Sequence, residues 1–98
     1  MSVVRIDEFR AAANRQDDLR VALAEILAAV RTADGCDSVQ VFQSATEPER
    51  IVVVERWRDR DSHQTAMASV RPAALHRVMA LLAEMPEGEY YAQVEAGA

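Results

Sequence analysis

The chain has 98 residues; half are hydrophobic, and only three are Gly and three Pro, which is typical of a globular protein and excludes a fibrous or disordered one. Sixteen acidic residues against eleven basic ones give a net charge of −5, which disfavours nonspecific nucleic-acid binding. The only cysteine, Cys36, cannot form an internal disulfide, and no Cys/His cluster has metal-ligand spacing. We expect a single domain over residues 1–98.

The chain has no segment that predicts membrane insertion. Residues Met1–Asp7 carry charges where a signal peptide needs an apolar stretch, and no segment approaches the ~20 apolar residues of a membrane span. We therefore expect a cytoplasmic protein that binds neither a membrane nor nucleic acid.

The first half of the chain predicts a strand followed by a long helix. Val3–Phe9 alternates imperfectly and indicates a strand. Apolar residues then recur at helical spacing over Asn14–Ala33, with Asn14 or Asp17 as the cap and Gly35 after the end. A one-sided apolar stripe of this kind predicts a helix that packs on a sheet.

Two strands follow, Cys36–Ser44 and Arg50–Arg58, joined by a polar turn. The second strand is apolar at both parities over Ile51–Val54, so both of its faces need cover. The helices of one small chain can cover one face only. The other face predicts a second copy, and hence a homodimer.

The remainder predicts two helical segments and a last strand. Asp59 or Asp61 caps a short helix through about Ser69, and a second helix begins at Pro72. The final strand is Glu89–Glu95, which alternates from Tyr90 onward. The order of elements predicts an α+β, ferredoxin-like split βαβ fold, with a four-stranded antiparallel sheet and helices on one face.

Four short motifs stand out along the chain: Gly35-Cys36 after the long helix, a strand ending Val41–Ser44, the run Val53–Trp57 and an acidic short helix after it. Together they resemble the antibiotic biosynthesis monooxygenase (ABM) family. The resemblance covers roughly Val3 to Val94 and implies a dimeric α+β barrel. Known activities of such proteins are cofactor-free oxygenation of aromatic polyketides, quinol oxidation, haem breakdown and isomerisation of small metabolites.

The resemblance implies site residues one position at a time. Trp57 matches a tryptophan of the polyketide-oxygenating members, His63 falls at the offset of their tyrosine, and Arg77 at that of their arginine. Their asparagine is Val53 here. Haem-degrading members need a histidine where this chain has Ala66 and Met67, which argues against haem. No cofactor and no metal are implied.

Each candidate has a catalytic and a structural interpretation. Trp57 either contacts a planar substrate or closes the end of the core with its N–H bonded to a backbone carbonyl. His63 points inward and is either the base that takes a phenolic proton or a packed histidine bonded to the main chain. Arg77 lies nearly opposite the apolar stripe of its helix, so its role in stabilising an anion requires the helix to turn it inward. A substrate pocket is predicted between sheet and helices, bounded by Trp57, His63 and Met67.

Two function classes follow from these observations. The first is a cofactor-independent monooxygenase that oxidises an electron-rich, polyketide-like phenol or quinol with O₂. A deprotonated substrate of this kind can itself reduce O₂, so the protein need only bind, orient and deprotonate it. The second is a non-catalytic small-molecule-binding dimeric barrel that has lost the chemistry, as Val53 and Ala66 suggest. Fold alone does not decide between them.

Overall fold

The computed structural model of the chain describes residues 2–97. Its elements in chain order are β1 (Val3–Arg10), α1 (Gln16–Val30), β2 (Cys36–Gln43), β3 (Arg50–Trp57), α2 (Arg60–Ala68), α3 (Pro72–Met79) and β4 (Glu87–Tyr91). The strands form one sheet in the order β2-β3-β1-β4, and each neighbouring pair is antiparallel. The predicted α+β, ferredoxin-like split βαβ fold is confirmed.

The central strand β3 separates the two faces of the sheet. Ile51, Val53, Glu55 and Trp57 are buried, whereas Val52 and Val54 are only half-buried. Successive side chains of a strand point to opposite faces. The buried set therefore lies under the helices and the other set lies on the open face of the sheet. The core contains aliphatic side chains from both layers, among them Leu19, Leu23, Leu27, Val30, Ile51, Val53 and Val78.

Two elements are shorter than the sequence predicts. Helix α1 begins at Gln16 rather than Asn14, because Asn14 has a φ of 62°, in the left-handed region. Strand β4 ends at Tyr91, which pairs with Val4 close to the beginning of β1. The predicted strand through Glu95 is wrong beyond Tyr91, because β1 offers almost no backbone there to pair with.

A glycine allows the turn after α1 to approach α2 closely. Gly35 has a φ of +85°, and a Cβ at this position would lie 2.5 Å from the hydroxyl of Ser62. The backbone of Gly35 also accepts a hydrogen bond from the N–H of Arg58 at 2.7 Å. These close approaches hold the turn after α1 against the junction between β3 and α2.

Over residues 2–97, none of the helices combines the length and apolar character that crossing a bilayer requires.

Candidate functional site

The position of His63 follows from how α2 begins. Asp59 is the N-cap, and its carboxylate accepts a hydrogen bond from the backbone N–H of Ser62 at 2.8 Å. This bond fixes the first turn of α2 directly after β3. His63 then points towards the sheet and is only 6% exposed.

Glu55 and Trp57 lie on the same face of β3, under the helices. The indole N–H of Trp57 donates a hydrogen bond to the carboxylate of Glu55 at 2.8 Å. Trp57 is fully buried and Glu55 is 3% exposed. A buried carboxylate needs such a donor, since an unpaired one costs a large desolvation free energy.

His63 lies between this carboxylate and a phenol. Its Nε2 is 3.8 Å from Oε1 of Glu55, and its Nδ1 is 2.6 Å from the hydroxyl of Tyr90 on β4. The imidazole also meets the rings of Trp57 and Tyr90 edge to face, with centroids 5.4 and 5.3 Å away. The carboxylate near Nε2 favours the tautomer that carries its proton there, so that Nδ1 accepts from the phenol.

Two arginines lie over the ring of Tyr90. The guanidinium carbon of Arg5 is 4.7 Å from the ring centroid, and that of Arg60 is 4.6 Å away. Arg5 pairs with both Glu55 and Tyr90 across the sheet, so the register brings all three to one face. The Nε of Arg5 also donates to Asp7 at 3.0 Å. A phenol in this position therefore lies in a positively charged environment.

Burial shifts the two titratable groups at the centre in opposite directions. Desolvation, and then the positive charge of Arg5, lowers the pKa of His63 below its ordinary value. Desolvation raises the pKa of Glu55, although the hydrogen bond from Trp57 opposes this shift. The imidazole is therefore neutral near neutral pH and able to accept a proton. Perturbed groups of this kind are concentrated in functional sites.

One group of side chains could bring three ligand atoms to a cation. Among residues 2–97, Asp7, Glu55 and His63 each offer an atom, and these atoms lie within 4.8 Å of one another. The guanidinium of Arg5, bonded to Asp7, already supplies positive charge to this group. Asp7 therefore faces both the guanidinium of Arg5 and the Glu55–His63 pair.

The structure brings two of the predicted site residues together and leaves two apart. Trp57 and His63 are in contact, as expected. Met67, on the outer side of α2, is 36% exposed. Arg77, on α3, makes an exposed ion pair with Glu25 of α1, and none of its contacts within residues 2–97 joins it to His63. The apolar stripe of α3 packs against α1 and so keeps Arg77 on the surface.

No open cavity separates Trp57 from His63, because the two rings are buried in contact. The principal groove beside α2 has a volume of about 510 Å³ and lies between α1 and α2. Its wall includes Val30, Arg58, Ser62 and Ala66, but neither Trp57, His63 nor Met67. The sequence-predicted pocket bounded by Trp57, His63 and Met67 stays a prediction, and in this structure the hydroxyl of Tyr90 lies against His63.

Sequence reasoning missed Tyr90, Arg5 and Arg60 as members of the site. Arg5 and Tyr90 depend on strand pairing between the two ends of the chain, which no local pattern reveals. A signal existed for Glu55, because it shares the parity of Trp57 in an otherwise apolar strand. The carboxylate of Glu55 accepts a hydrogen bond from the indole N–H of Trp57, for which one of the two interpretations had expected a backbone carbonyl.

Comparisons with known proteins agree with the fold and the motifs. The sequence profile described as "Antibiotic biosynthesis monooxygenase" matches residues 2–78. The structure of Rv0793 from Mycobacterium tuberculosis is 25% identical, with 100% of both chains covered and a TM-score of 0.83. Protein SO0527 from Shewanella oneidensis is also 25% identical, with 94% of this chain and 90% of that chain covered and a TM-score of 0.80.

A more distant solved structure has a described activity. SnoaB, a cofactor-independent oxygenase from Streptomyces nogalater, is 15% identical, with 97% of this chain and 95% of that chain covered and a TM-score of 0.84. At this identity the similarity shows a shared fold. No curated protein matches the sequence.

Proposed function

Because this chain belongs to the antibiotic biosynthesis monooxygenase family, we propose that it is a cofactor-independent monooxygenase that oxidises an electron-rich phenol or quinol to a quinone. One observation carries the proposal: the buried imidazole of His63 lies between a carboxylate, 3.8 Å away, and a phenol hydroxyl, 2.6 Å away. A general base must be within hydrogen-bond reach of the proton that it removes. His63 meets this condition with the phenol of its own chain.

The proposed reaction needs no external reductant. A phenol with hydrogen on its para carbon loses its hydroxyl proton to His63, and the phenolate supplies electrons to O₂. One oxygen atom becomes the second quinone oxygen. The other leaves as water with the two hydrogens that the substrate gives up, so phenol and O₂ yield quinone and H₂O. The protein contributes binding, orientation and proton transfer.

The site assigns each central side chain a part in this proton transfer. His63 accepts the proton at Nδ1 and becomes an imidazolium whose Nε2–H faces Glu55. The carboxylate of Glu55 stabilises that imidazolium and keeps the ring in the required tautomer, as an orienting carboxylate does in hydrolytic triads. Trp57, which is fully buried, holds Glu55 in place through its N–H and does not touch the substrate.

We also propose that the protein is a cytoplasmic homodimer whose open sheet faces meet. The open face carries apolar side chains from all four strands: Val4, Ile6, Phe42, Val52, Val54 and Tyr91. Phe42 is 51% exposed and Tyr91 45% exposed in the single chain. A second copy offers a matching apolar surface, and obligate interfaces bury about 2,000 Å² or more. The other partners in this proposal are a small aromatic substrate and O₂.

Oxygen consumption tests the proposed activity directly. The protein is mixed with a panel of dihydroxynaphthalenes and anthrones in air-saturated buffer that contains a chelator. We expect O₂ uptake and quinone absorbance in equal amounts, reduced about 10²–10⁴-fold in His63→Ala. His76→Ala is the matched control, since His76 is exposed on α3. Equal rates in the two variants would contradict the role of His63.

The second candidate is a binding protein of the same fold without the chemistry. The close packing of Trp57, His63 and Tyr90 favours it. Val53 and Ala66 also favour it, because the resemblance implies an asparagine at the first position in polyketide-oxygenating members and a histidine near the second in many members. This candidate predicts saturable binding of the aromatic panel without O₂ uptake. The same experiment therefore separates the two functions.

A further inference from the structure

We propose that the side chain of Tyr90 occupies a phenol-binding subsite formed by His63, Arg5 and Arg60, and that a substrate phenol binds there by displacing it. This inference rests on the proposed function for its substrate class. It adds a subsite at the edge strand β4, and it explains why the base is covered in the isolated chain.

The first step of the argument is the chemistry around Tyr90. Its hydroxyl is 2.6 Å from a neutral imidazole nitrogen, and its ring lies under two guanidinium groups at 4.7 and 4.6 Å. An acceptor at the hydroxyl and two guanidinium groups over the ring are contacts that bind and orient a phenol. The contacts of Tyr90 therefore match those that a bound substrate phenol would make.

The second step is that Tyr90 excludes a substrate hydroxyl from His63. Tyr90 takes the Nδ1 contact of His63, and the other ring nitrogen faces Glu55. His63 is 6% exposed. A substrate hydroxyl reaches Nδ1 only when the Tyr90 hydroxyl leaves it. The two phenols thus compete for one acceptor.

The third step is that Tyr90 lies on an edge strand, whose displacement from the sheet requires less free energy than that of a central strand. Strand β4 has five residues, is at the edge of the sheet and pairs with β1 alone. Residues 92–97, which follow it, form no regular secondary structure. His63, Glu55 and Trp57, in contrast, belong to α2 and the central strand β3. Edge elements with few buried contacts open before central ones do.

The test uses p-cresol, which has the structure of the tyrosine side chain, as the probe. Tyr90→Ala removes that side chain and opens a space of matching shape. We expect p-cresol to raise the melting temperature of Tyr90→Ala in a saturable manner and to bind about tenfold more tightly than toluene, which lacks the hydroxyl. Wild type should show no such stabilisation at the same concentrations, because Tyr90 fills the subsite.

Two control variants locate the binding. Tyr91→Ala removes the neighbouring tyrosine, whose hydroxyl donates to Glu89 at 3.1 Å on the open face, and should gain no affinity for p-cresol. In Tyr90→Ala/His63→Ala, the preference for p-cresol over toluene should disappear. Equal binding of the two probes by Tyr90→Ala, or equal p-cresol binding by wild type, would overturn the proposal.

Tyr90→Phe tests the proposal if the alanine variant does not fold. It keeps the ring but loses the bond to His63, so a dihydroxynaphthalene should displace it more easily. We expect the apparent affinity, measured by tryptophan fluorescence under nitrogen, to rise about 3–10-fold over wild type. A lower affinity would instead make Tyr90 a positioning residue that helps to bind substrate, and would refute displacement.

These binding measurements need no oxygen, so they fail independently of the proposed reaction. If Tyr90→Ala binds p-cresol while wild type consumes no O₂ with any compound of the aromatic panel, the subsite is supported and the oxygenase proposal fails. If O₂ uptake depends on His63 but Tyr90→Ala binds no p-cresol, the reaction stands and the subsite is wrong.

Discussion

Trp57 donates its indole N–H to Glu55, two residues earlier on the same strand, at 2.8 Å. Both side chains are buried, so this bond is what makes a carboxylate tolerable beneath the helices. It also sets the position of the carboxylate that faces His63. The tryptophan therefore acts on the site through Glu55.

Trp57→Phe should leave the carboxylate of Glu55 without its donor. We expect this loss to cost about 1–3 kcal/mol of unfolding free energy beyond the effect of the smaller ring. A double-mutant cycle with Glu55→Met isolates that part, because the second background has no carboxylate to satisfy. Urea unfolding gives the four free energies, and identical costs of Trp57→Phe in both backgrounds would show that the bond contributes nothing.

The lowered pKa of His63 makes stability depend on pH. The unfolded chain takes up a proton as pH falls through the ordinary histidine pKa of about 6.5, whereas the folded chain does so only at lower pH. Over that window the unfolded state binds more protons, so unfolding free energy decreases as pH falls. As the pH falls from about 8 to 5, we expect wild type to lose unfolding free energy relative to His63→Gln, which has no histidine to titrate at this position.

Urea melts at several pH values measure this shift. Glu55, whose raised pKa acts in the opposite direction, is present in both proteins, so their difference reports mainly on His63. His76→Gln, altered at an exposed histidine on α3, is the matched control. A constant difference between wild type and His63→Gln would mean that His63 titrates alike in both states.

The sequence allowed the fold and part of the site to be predicted, for identifiable physical reasons. A strand over Arg50–Arg58 was predicted from its apolar run, and residue parity in a strand puts Trp57 and Glu55 on one face, since strand periodicity is local. Helical periodicity likewise placed His63 inward. The partners of His63 could not be found in this way, because Tyr90 and Arg5 reach it through pairing between β4 and β1, from opposite ends of the chain.

Val54→Asp should separate the proposed dimer into folded monomers. Val54 lies on the open face, so a charge there opposes association without entering the core under the helices. We expect wild type to sediment at twice the chain mass of 10.9 kDa, and the variant to sediment as one chain with an unchanged circular dichroism spectrum. Val21→Asp, at a site that is 74% exposed on α1, is the control and should remain dimeric. A wild-type monomer at micromolar concentration would remove the dimer proposal.

The two arginines near the helices should differ in their effect on activity. Arg77 pairs with Glu25 on the surface, so Arg77→Ala should cost little stability. Arg60 lies over the ring of Tyr90, where a phenolate would form. Steady-state O₂ uptake should therefore show a larger loss of kcat/KM in Arg60→Ala than in Arg77→Ala. The reverse order would restore Arg77 as the group that stabilises the anion.

The pH dependence of activity should identify the base. Burial and the charge of Arg5 lower the pKa of His63, so the imidazole stays neutral to a lower pH than usual. We expect kcat/KM to rise with pH and reach a plateau, with an inflection below about 6.5 that reports the free protein. Arg5→Met removes the positive charge that disfavours the imidazolium, so the inflection of this variant should move to higher pH.

Initial rates across a buffer series measure the pH profiles of wild type and Arg5→Met. His63→Ala should lose the inflection altogether, and a profile in that variant identical to wild type would mean that the substrate ionises without His63.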